Sequence, residues 1–493
     1  MVTLDIETWM DLAMPIAPHL ILILTALIVP AIGMKSGKAA AVFSIMMGFV
    51  AMAVTGYMMN EVLNNGTIYN FEGHYAFDAF TGLMILIFLT VFILVSLMSV
   101  KGSETKRFRG EYFSLLAGAT VGMMLVSASE NLVSLFVGIE LASLLSIALV
   151  AFKKNDPRSS EAAVKYLITG GLSTALFLYG MSLVYGLTGS LELSTVIAEL
   201  AKPQDLSVTY MIATVTLIAG LAFKISAVPF HAWAPDVYEG APTAVTTFLA
   251  VGSKKMGFVV FFKIFLLMFI IVQDAGRIHE LQWIFAMLAA ATMTLGNVVA
   301  ISQKSIKRML AYSSIAQGGY LLIVLSVASE YAAMGGLFYM IVHIFMKGGA
   351  FAVVAALAAR GLGENISDYR GLSKRAPLVA FAMLLFMFSL AGIPPLAGFA
   401  AKFILFSSAV TSDGTWIWLV ALAVINSAIS LYYYARVVKT MYVDKDADAA
   451  RIKVHWPFKI AIALCAVAVV VIGLYPGPVL EFCEAAASQL IGS

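Results

Sequence analysis

Long apolar runs follow one another along almost the whole of this 493-residue chain. A helix needs about 20 predominantly apolar residues to cross a bilayer, and the runs supply about fourteen such candidates. Hydrocarbon offers no partner to backbone N–H and C=O groups, so runs of this length are expected to be helical. The sequence therefore predicts an all-α polytopic membrane protein with a single membrane domain over 1–493.

The candidate spans are numbered in chain order throughout. They are 12–34, 39–60, 78–100, 111–129, 131–152, 161–187, 208–230, 240–272, 281–301, 305–329, 331–359, 376–411, 415–440 and 457–478. Spans 8 and 12 are long enough to predict a tilt, a break or an extra turn. Only 12% of the residues are charged, against about 25% in soluble domains. The net charge of +3 is small and scattered, which favours lipid surroundings and no nucleic-acid partner.

Basic residues alternate between successive loops. The loops after spans 1, 3, 5, 9, 11 and 13 contain Lys35, Lys38, Lys101, Lys106, Arg107, Arg109, Lys153, Lys154, Arg158, Lys304, Lys307, Arg308, Arg360, Arg370, Lys374, Arg375, Lys439, Lys445, Arg451 and Lys453. The other loops contain only Lys202 and Arg277. The positive-inside rule places the basic loops in the cytoplasm. With an even number of spans, both termini are then predicted on the outer side of the cell membrane.

Ionisable residues interrupt the apolar runs. They are Glu140, Lys165, Lys224, Lys254, Lys255, Lys263 and Lys402. An ionisable group at membrane depth costs roughly 2.5–3.5 kcal/mol on insertion scales, and such groups commonly mark ion or proton pathways. We therefore interpret these residues as a functional path.

Glu140 and Lys224 each admit a structural and a functional interpretation. Glu140, near the middle of span 5, is either a neutral acid in a helix-packing hydrogen bond or a carboxylate held by a cation. Lys224 is either a proton carrier or a side chain that extends to the membrane surface. Pro229 and Pro235 follow it and, together with Pro242, predict a broken helix, which membrane proteins tolerate where it lines a wet cavity.

The second half of the chain also combines ionisable residues with a proline break in its apolar runs. His343 and Lys347 share one helix face because they are four residues apart. His343 is either a proton relay or a structural hydrogen-bonding group. Lys402 follows a helix break predicted at Pro394 and Pro395. Paired interruptions of this kind hint at an internal repeat.

Redox motifs are absent from the sequence. There is no CxxC, no haem attachment motif and no Gly-rich phosphate loop, and the two cysteines, Cys465 and Cys483, lack a metal-binding spacing. We expect this chain to bind no cofactor and no metal.

Several segments resemble the antiporter-like subunits of respiratory complex I. They are FKISAVPFHAWAPDVYEGAPTAVTTFLAVGSK, SLFVGIELASLL, IKRMLAYSSIAQGGYLL and DYRGLSKRAPLVAFAMLLFMFSLAGIPPLAGFAAKF. The DVYEGAPTAV and AGIPPLAGF runs are similar to the N-type subunit. The resemblance implies fourteen helices, two inverted five-helix repeats (111–272 and 281–440) and breaks in helices 7 and 12.

The resemblance also implies a proton path. Its glutamate and lysines correspond to Glu140, Lys224, Lys254 and Lys402, with a further basic residue about where Lys263 lies. The pair of His343 and Lys347 departs from many bacterial N subunits and resembles the L and M subunits and archaeal relatives. We place both residues between Lys254 and Lys402 in the predicted path.

The implied function is proton translocation by a subunit without redox chemistry of its own. The parent complex would be an NADH:quinone oxidoreductase or an archaeal F420H2:phenazine dehydrogenase, with flavin or F420, iron–sulfur clusters and a quinone or phenazine elsewhere. The expected partners are L-, M-, K- and J-type membrane subunits and, through them, a peripheral redox arm. The alternatives are a cation/proton antiporter subunit without a redox partner and a purely structural membrane anchor.

Overall fold

The computed structural model describes residues 13–102, 108–201, 208–271, 276–412, 414–444 and 450–492, with side chains left out at 201, 271 and 276–279. The predictions made for Lys106, Arg107, Lys202 and Lys445 lie outside these residues, as does the side chain of Arg277. The described chain is almost entirely helical, which confirms the all-α polytopic prediction.

Eleven helices in the described part of the chain are long and apolar enough to cross a membrane. They form spans 1–6, 9–11, 13 and 14. Their bounds are Ala17–Lys35, Gly37–Asn65, Ala79–Ser99, Arg109–Ala128, Leu132–Val150, Pro157–Thr188, Gly276–Ser302, Ile306–Val327, Glu330–Ala358, Ile417–Tyr442 and Trp456–Leu474. Spans 7, 8 and 12 are interrupted, and with them the count reaches the expected fourteen.

Spans 7 and 12 are broken where the prolines predicted. Span 7 consists of two half-helices, Val208–Lys224 and Trp233–Gly240, and span 12 of Pro377–Ala391 and Ala397–Val410. Pro229 lies in the first break and Pro394 and Pro395 in the second. Pro235 and Pro242 interrupt nothing: Pro235 lies in the first turn of its half-helix and Pro242 caps the start of span 8, positions where a missing N–H is tolerated.

Span 8 stays helical but contains two π-helical turns, Leu249–Ser253 and Phe262–Leu266. Its α-helical parts are Thr243–Phe248, Lys254–Phe261 and Leu267–Ile271. Lys254 follows the first π turn, and Lys263 lies within the second. Such turns are rare and often occur at functional sites. Between these two lysines the helix is α-helical over Lys254–Phe261.

Several small elements were not predicted. Strands β1 (Ile68–Asn70) and β2 (Tyr75–Phe77) pair antiparallel, with Ile68 opposite Phe77. Short helices cover Leu193–Ala201 and Leu372–Arg375, and 3₁₀ turns cover Phe71–Gly73 and Ile366–Tyr369. A further helix, Gly477–Gly492, follows span 14.

Hydrogen bonds gather the loops at two ends of the bundle. At the end rich in lysine and arginine, called the basic end below, Ile366 N donates to Lys304 O and Ile452 N to Arg375 O, both at 2.9 Å. At the opposite end, Ala79 N donates to Gln489 Oε1 at 2.6 Å and Leu193 N to Glu130 O at 2.9 Å. This arrangement agrees with the alternation of loop charge, while the compartment at each end stays a prediction.

Spans 3, 10 and 11 form the centre of the bundle. The most apolar stretches of these three helices are 89%, 94% and 89% buried, whereas those of spans 1, 2, 6 and 13 are 28–33% buried.

Two glycines allow neighbouring segments to approach closely at the breaks of spans 7 and 12. A Cβ atom at Gly257 in span 8 would lie 2.7 Å from the Ile225 side chain, and one at Gly398 would lie 1.8 Å from Ser389 O.

Candidate functional site

Apart from Lys307 at the basic end, six lysine side chains are almost inaccessible inside the bundle. Their exposures are 6% for Lys224, 2% for Lys254, 1% for Lys255, 2% for Lys263, 0% for Lys347 and 4% for Lys402. Burying so many amines in an apolar interior is costly unless each finds polar partners. The partners of five of these amines are visible and define the site.

Lys224 is the last residue of the first half-helix of span 7. Its Nζ donates to Ser143 Oγ at 2.6 Å, and Ser143 lies about one turn beyond Glu140 on span 5. The break also frees the Phe223 carbonyl, which accepts from the Trp233 indole at 3.0 Å. Lys224 thus points into the bundle, and its interpretation as a side chain that extends to the surface is wrong.

Among the described residues, Glu140 makes a hydrogen bond between helices rather than a contact with a cation. Its Oε1 accepts from Thr174 Oγ1 of span 6 at 2.8 Å, and no direct ion pair joins it to Lys224 in the described structure. Ser143 lies between the two groups along span 5. The Lys224 amine therefore contacts the helix that carries Glu140 without touching the acid itself.

Span 10 connects the buried amines of spans 8 and 11. Lys254 Nζ donates to Ser314 O at 3.0 Å. Lys347 Nζ donates to Leu310 O at 3.0 Å and to Ser313 Oγ at 2.5 Å. These acceptors follow one another at helical spacing and form a single stripe along span 10.

The stripe continues through hydroxyl and amide groups. Ser313 Oγ shares a hydrogen bond with Tyr434 OH of span 13. Gln317 Nε2 donates to Tyr434 OH and to Leu390 O, both at 3.4 Å, while Gln317 Oε1 accepts from Tyr339 OH. Leu390 O is also an acceptor for Lys402, so polar contacts run without interruption from Lys347 to Lys402.

Lys402 lies against the break in span 12. Its Nζ donates to Leu390 O at 2.9 Å, Ala391 O at 3.1 Å and Ser427 Oγ at 2.9 Å. The two carbonyls end the first half-helix, where the helix dipole favours a positive group. Nζ also lies 5.1 Å from the centre of the Tyr320 ring, which is within cation–π distance.

His343 is 1% exposed, and neither ring nitrogen has a hydrogen-bond partner among the described residues. The ring stacks on Tyr339 with centroids 6.4 Å apart, and the amines of Lys254, Lys255 and Lys347 lie in its surroundings. This placement does not support the interpretation of His343 as a structural hydrogen-bonding group. It keeps an unpaired imidazole beside three amines.

Lys263 lies at the opposite end of span 8, away from this chain of contacts. Its Nζ donates to Ser129 O at 2.9 Å and to Glu130 Oε1 at 2.6 Å. Glu130 borders a cavity of about 410 Å³. The cavity is also lined by Glu72, Asp78, Glu192 and Tyr69. Burial, followed by the charges of Glu130 and Asp78, raises the pKa of Tyr69 above its ordinary value.

Lys165 is not a buried charge, contrary to the sequence interpretation. Span 6 begins at Pro157, so Lys165 lies near the basic end, where 44% of its side chain is exposed. It forms ion pairs with Glu161 at 2.8 Å and Asp236 at 2.7 Å. Lys255 is buried as expected.

Sequence reasoning missed the polar residues between the lysines. A hydroxyl or amide group costs little free energy to bury when it is hydrogen-bonded, so it does not stand out in an apolar run. For this reason the sequence did not predict Ser313, Gln317 or Tyr434 as site residues. One signal was available: the polar residues Ser313, Ser314 and Gln317 are three and four residues apart, which is the spacing of one helix face. In the described ranges, no three His, Cys, Asp or Glu residues lie together in a way that could hold a metal ion.

A bundle with two broken spans and an interior row of lysines defines a membrane transport subunit. The family model described as "NADH:quinone oxidoreductase/Mrp antiporter, TM" matches residues 129–430. The chain belongs to this family, and the resemblance inferred from its motifs is confirmed.

Two similar proteins in this family are named as N subunits. The chain is 39% identical to F420H2 dehydrogenase subunit N of Methanosarcina mazei, over 97% of this chain and 99% of that protein. It is 42% identical to NADH-quinone oxidoreductase subunit N of Heliobacterium modesticaldum, over 92% and 94%. A chain of respiratory complex I from Thermus thermophilus is similar with a TM-score of 0.77 and 30% identity, over 94% of this chain and 98% of that one.

Proposed function

We propose that this chain translocates protons through its buried amines and performs no redox chemistry itself. The observation that carries the proposal is the row of polar contacts from Lys347 through Ser313, Tyr434 and Gln317 to Lys402. A structural role alone would not require so many exchangeable groups in series across the second half of the bundle. The one member without a proton is the Leu390 carbonyl, which accepts from both Gln317 and Lys402. Side-chain hydroxyl, amide and amine groups of this kind can donate or accept protons in turn.

The first half of the path begins at Glu140 and Lys224. Ser143 separates them here, with Glu140 bonded to Thr174 instead. A direct pair would favour the charged form of Lys224, and separation removes that stabilisation. Changes in this separation would therefore drive a proton from Lys224 towards Lys254.

The second half of the path runs from Lys254 past His343 and Lys347 to Lys402. Two protonated amines in such an interior repel one another, so a proton that arrives at Lys254 favours departure of one from Lys347. The unpaired imidazole of His343 offers an intermediate acceptor. Lys402 then releases the proton at the break marked by Pro394 and Pro395.

Lys263 takes a separate place in the proposal. Five apolar residues, Phe258–Phe262, separate it from Lys254 along span 8, and its contacts are Ser129 and Glu130. We assign it to the opposite end of the path, where the cavity at Glu130 connects the bundle to water.

The proposed setting is the cell membrane, with the basic end in the cytoplasm and both termini outside. The relatives are named as N subunits of NADH-quinone and F420H2 oxidoreductases. By analogy, electrons would pass through flavin or F420, iron–sulfur clusters and a quinone or phenazine in other subunits. The repeats 111–272 and 281–440 would then face neighbouring L-, M-, K- or J-type subunits.

A partner over span 5 has support in the structure. Glu140 is only partly buried, and the apolar side chains around it on span 5 are exposed: Val133, Val137, Leu141 and Leu144. An acid facing lipid at this depth would be costly. A neighbouring membrane subunit covering this face would remove that cost.

The decisive experiment replaces Lys224 with Ala in the assembled complex. We expect Lys224→Ala to abolish proton pumping in reconstituted vesicles while the complex still assembles. The exposed Lys38→Ala is the matched control and should pump normally. Normal pumping by the Lys224→Ala complex would exclude the proposed path.

The second candidate function is cation/proton antiport without a redox partner, because the family model also covers Mrp antiporters. The two functions differ in what co-purifies with the chain. Co-purification of redox subunits with a tagged chain supports the proton-translocating subunit. Na⁺ exchange in vesicles that contain no redox subunits supports the antiporter.

A further inference from the structure

The second half-helix of span 7 is tied to both halves of the chain at the basic end. Asp236 accepts from Lys165 of span 6 at 2.7 Å and from Arg308 of span 10 at 2.8 Å. Glu239 also accepts from Arg308, at 2.9 Å. We call these four residues the clamp. Their side chains are 29–44% exposed, and ion pairs in such surroundings add little stability, so the clamp mainly fixes position.

The same half-helix begins with Trp233, which closes the break in span 7. Its ring stacks on Tyr166 with centroids 4.7 Å apart and lies 5.0 Å from the Phe223 ring. Its indole N–H donates to Phe223 O at 3.0 Å. We call Trp233, Tyr166 and Phe223 the plug. Lys224 Nζ lies 5.8 Å from the Phe223 ring, so the plug adjoins the first amine of the proposed path.

A polar cavity of about 340 Å³ opens beside the clamp. Its lining includes all four clamp residues together with Arg158 and Glu161. At about 30 Å³ per molecule, it has room for roughly ten waters. Tyr166 directly follows Lys165 on span 6, and Trp233 lies about one turn before Asp236. The plug therefore lies further in than the clamp, on the side of the cavity towards Lys224.

We propose that the clamp and the plug form one gate for protons at the basic end. Asp236 and Glu239 of the clamp and Trp233 of the plug lie on a single short half-helix, so these three residues move together. With the ion pairs formed, Trp233 seals the cavity from Lys224. When they open, Trp233 leaves Tyr166 and Phe223, and water carries a proton to the Lys224 amine. This gate rests on the proposed proton path.

The gate is tested by hydrogen–deuterium exchange in the purified complex. We expect Arg308→Gln to raise amide exchange in 225–232 about tenfold, although Arg308 lies outside that segment. Exchange in 392–396, the break of span 12, should stay unchanged and serves as the internal reference. The same variant should move fewer protons per electron. The control is Lys439→Gln, which removes an exposed ion pair with Asp444 at the end of span 13 and should change neither quantity.

Variants of Trp233 test the plug directly. Trp233→Ala should raise exchange in 225–232 at least as much as Arg308→Gln, and Trp233→Phe, which keeps a ring, should raise it less. Unchanged exchange in Arg308→Gln, or an equal rise in 392–396, overturns the gate. If Lys224→Ala stops pumping while the clamp and plug variants pump normally, the path stands and the gate fails. If Lys224→Ala pumps normally, the path itself fails.

Discussion

At the residue scale, the site depends on groups that differ greatly in how visible they are in a sequence. A lysine in an apolar run stands out because burying a charge is expensive, and five of the six lysines first singled out are indeed buried. Ser313 and Tyr434 do not stand out, although they supply the contacts between the lysines. The lysines proposed to carry protons could be predicted from the sequence, and the hydroxyl and amide groups that link them could not.

The link between Lys347 and Lys402 can be cut by removing one hydroxyl. We expect Tyr434→Phe to slow proton translocation roughly tenfold, equivalent to about 1.4 kcal/mol of barrier, because Ser313 and Gln317 lose their shared partner. Assembly and electron transfer to an uncoupled acceptor should persist. Proton uptake by reconstituted vesicles is the measurement.

The neighbouring Tyr432 provides the control for this substitution. Its side chain is 62% exposed, so Tyr432→Phe should pump like the unmodified complex. Equal pumping by the Tyr434 and Tyr432 variants would show that protons do not pass through this contact.

At the element scale, the breaks in spans 7 and 12 bring helix ends and lysines together. The prolines predicted both breaks. The partners of each lysine, however, depend on contacts between segments that are distant in the sequence. Span 5 offers both Glu140 and Ser143 to Lys224, about one turn apart, and no local pattern indicates which is used. Lys165 was misplaced for a simpler reason: span 6 starts earlier than its hydropathy suggested, which moves that residue towards the basic end.

The break in span 12 depends on one close approach. An alanine at Gly398 would place its Cβ 1.8 Å from Ser389 O, so backbone must shift. We expect Gly398→Ala to destabilise the protein by about 1–3 kcal/mol and to displace Lys402 from the carbonyls it binds. A lower melting temperature of the purified complex, with reduced pumping, is the measurement.

Gly186→Ala is the comparison for this change, since nothing lies within 4 Å of a Cβ at that position of span 6. It should leave the melting temperature unchanged or slightly higher, because alanine is the better helix former. If the Gly398→Ala and Gly186→Ala variants melt at the same temperature, the backbone at the break of span 12 accommodates a Cβ atom without loss of stability, and the prediction is wrong.

At the scale of the whole molecule, the number of spans and the alternation of loop charge were predictable because hydropathy and charge add up over many residues. The hairpin of β1 and β2 was not, since three-residue strands are too short to show a period. The helix Gly477–Gly492 was missed because it is too short and polar for a span. Its Gln489 reaches back to Ala79, more than 400 positions earlier.

One buried lysine holds three distant parts of the chain together. Lys307 Nζ donates to Glu239 O at 2.8 Å, Ala241 O at 2.9 Å and Glu364 Oε1 at 3.1 Å. We expect Lys307→Met to cost about 3 kcal/mol, because it leaves these acceptors unpaired. The yield and melting temperature of the assembled complex should both fall.

The exposed Lys304 lies just before span 10, close to Lys307 in the chain, and gives the control. Lys304→Met removes an equal charge without a buried contact, so it should assemble normally. If both variants assemble equally well, the three hydrogen bonds of Lys307 are not needed to hold these segments together.

The stripe of acceptors on span 10 has a consequence for chain length. Adding or deleting one residue turns everything beyond it by about 100° around the helix axis. An insertion between Leu310 and Gln317 would therefore put the contacts that span 10 makes with Lys254, Lys347 and Leu390 out of register with one another. Among homologous chains, this interval should keep a constant length even where its side chains vary, while the loops at either end of span 10 should be free to lengthen.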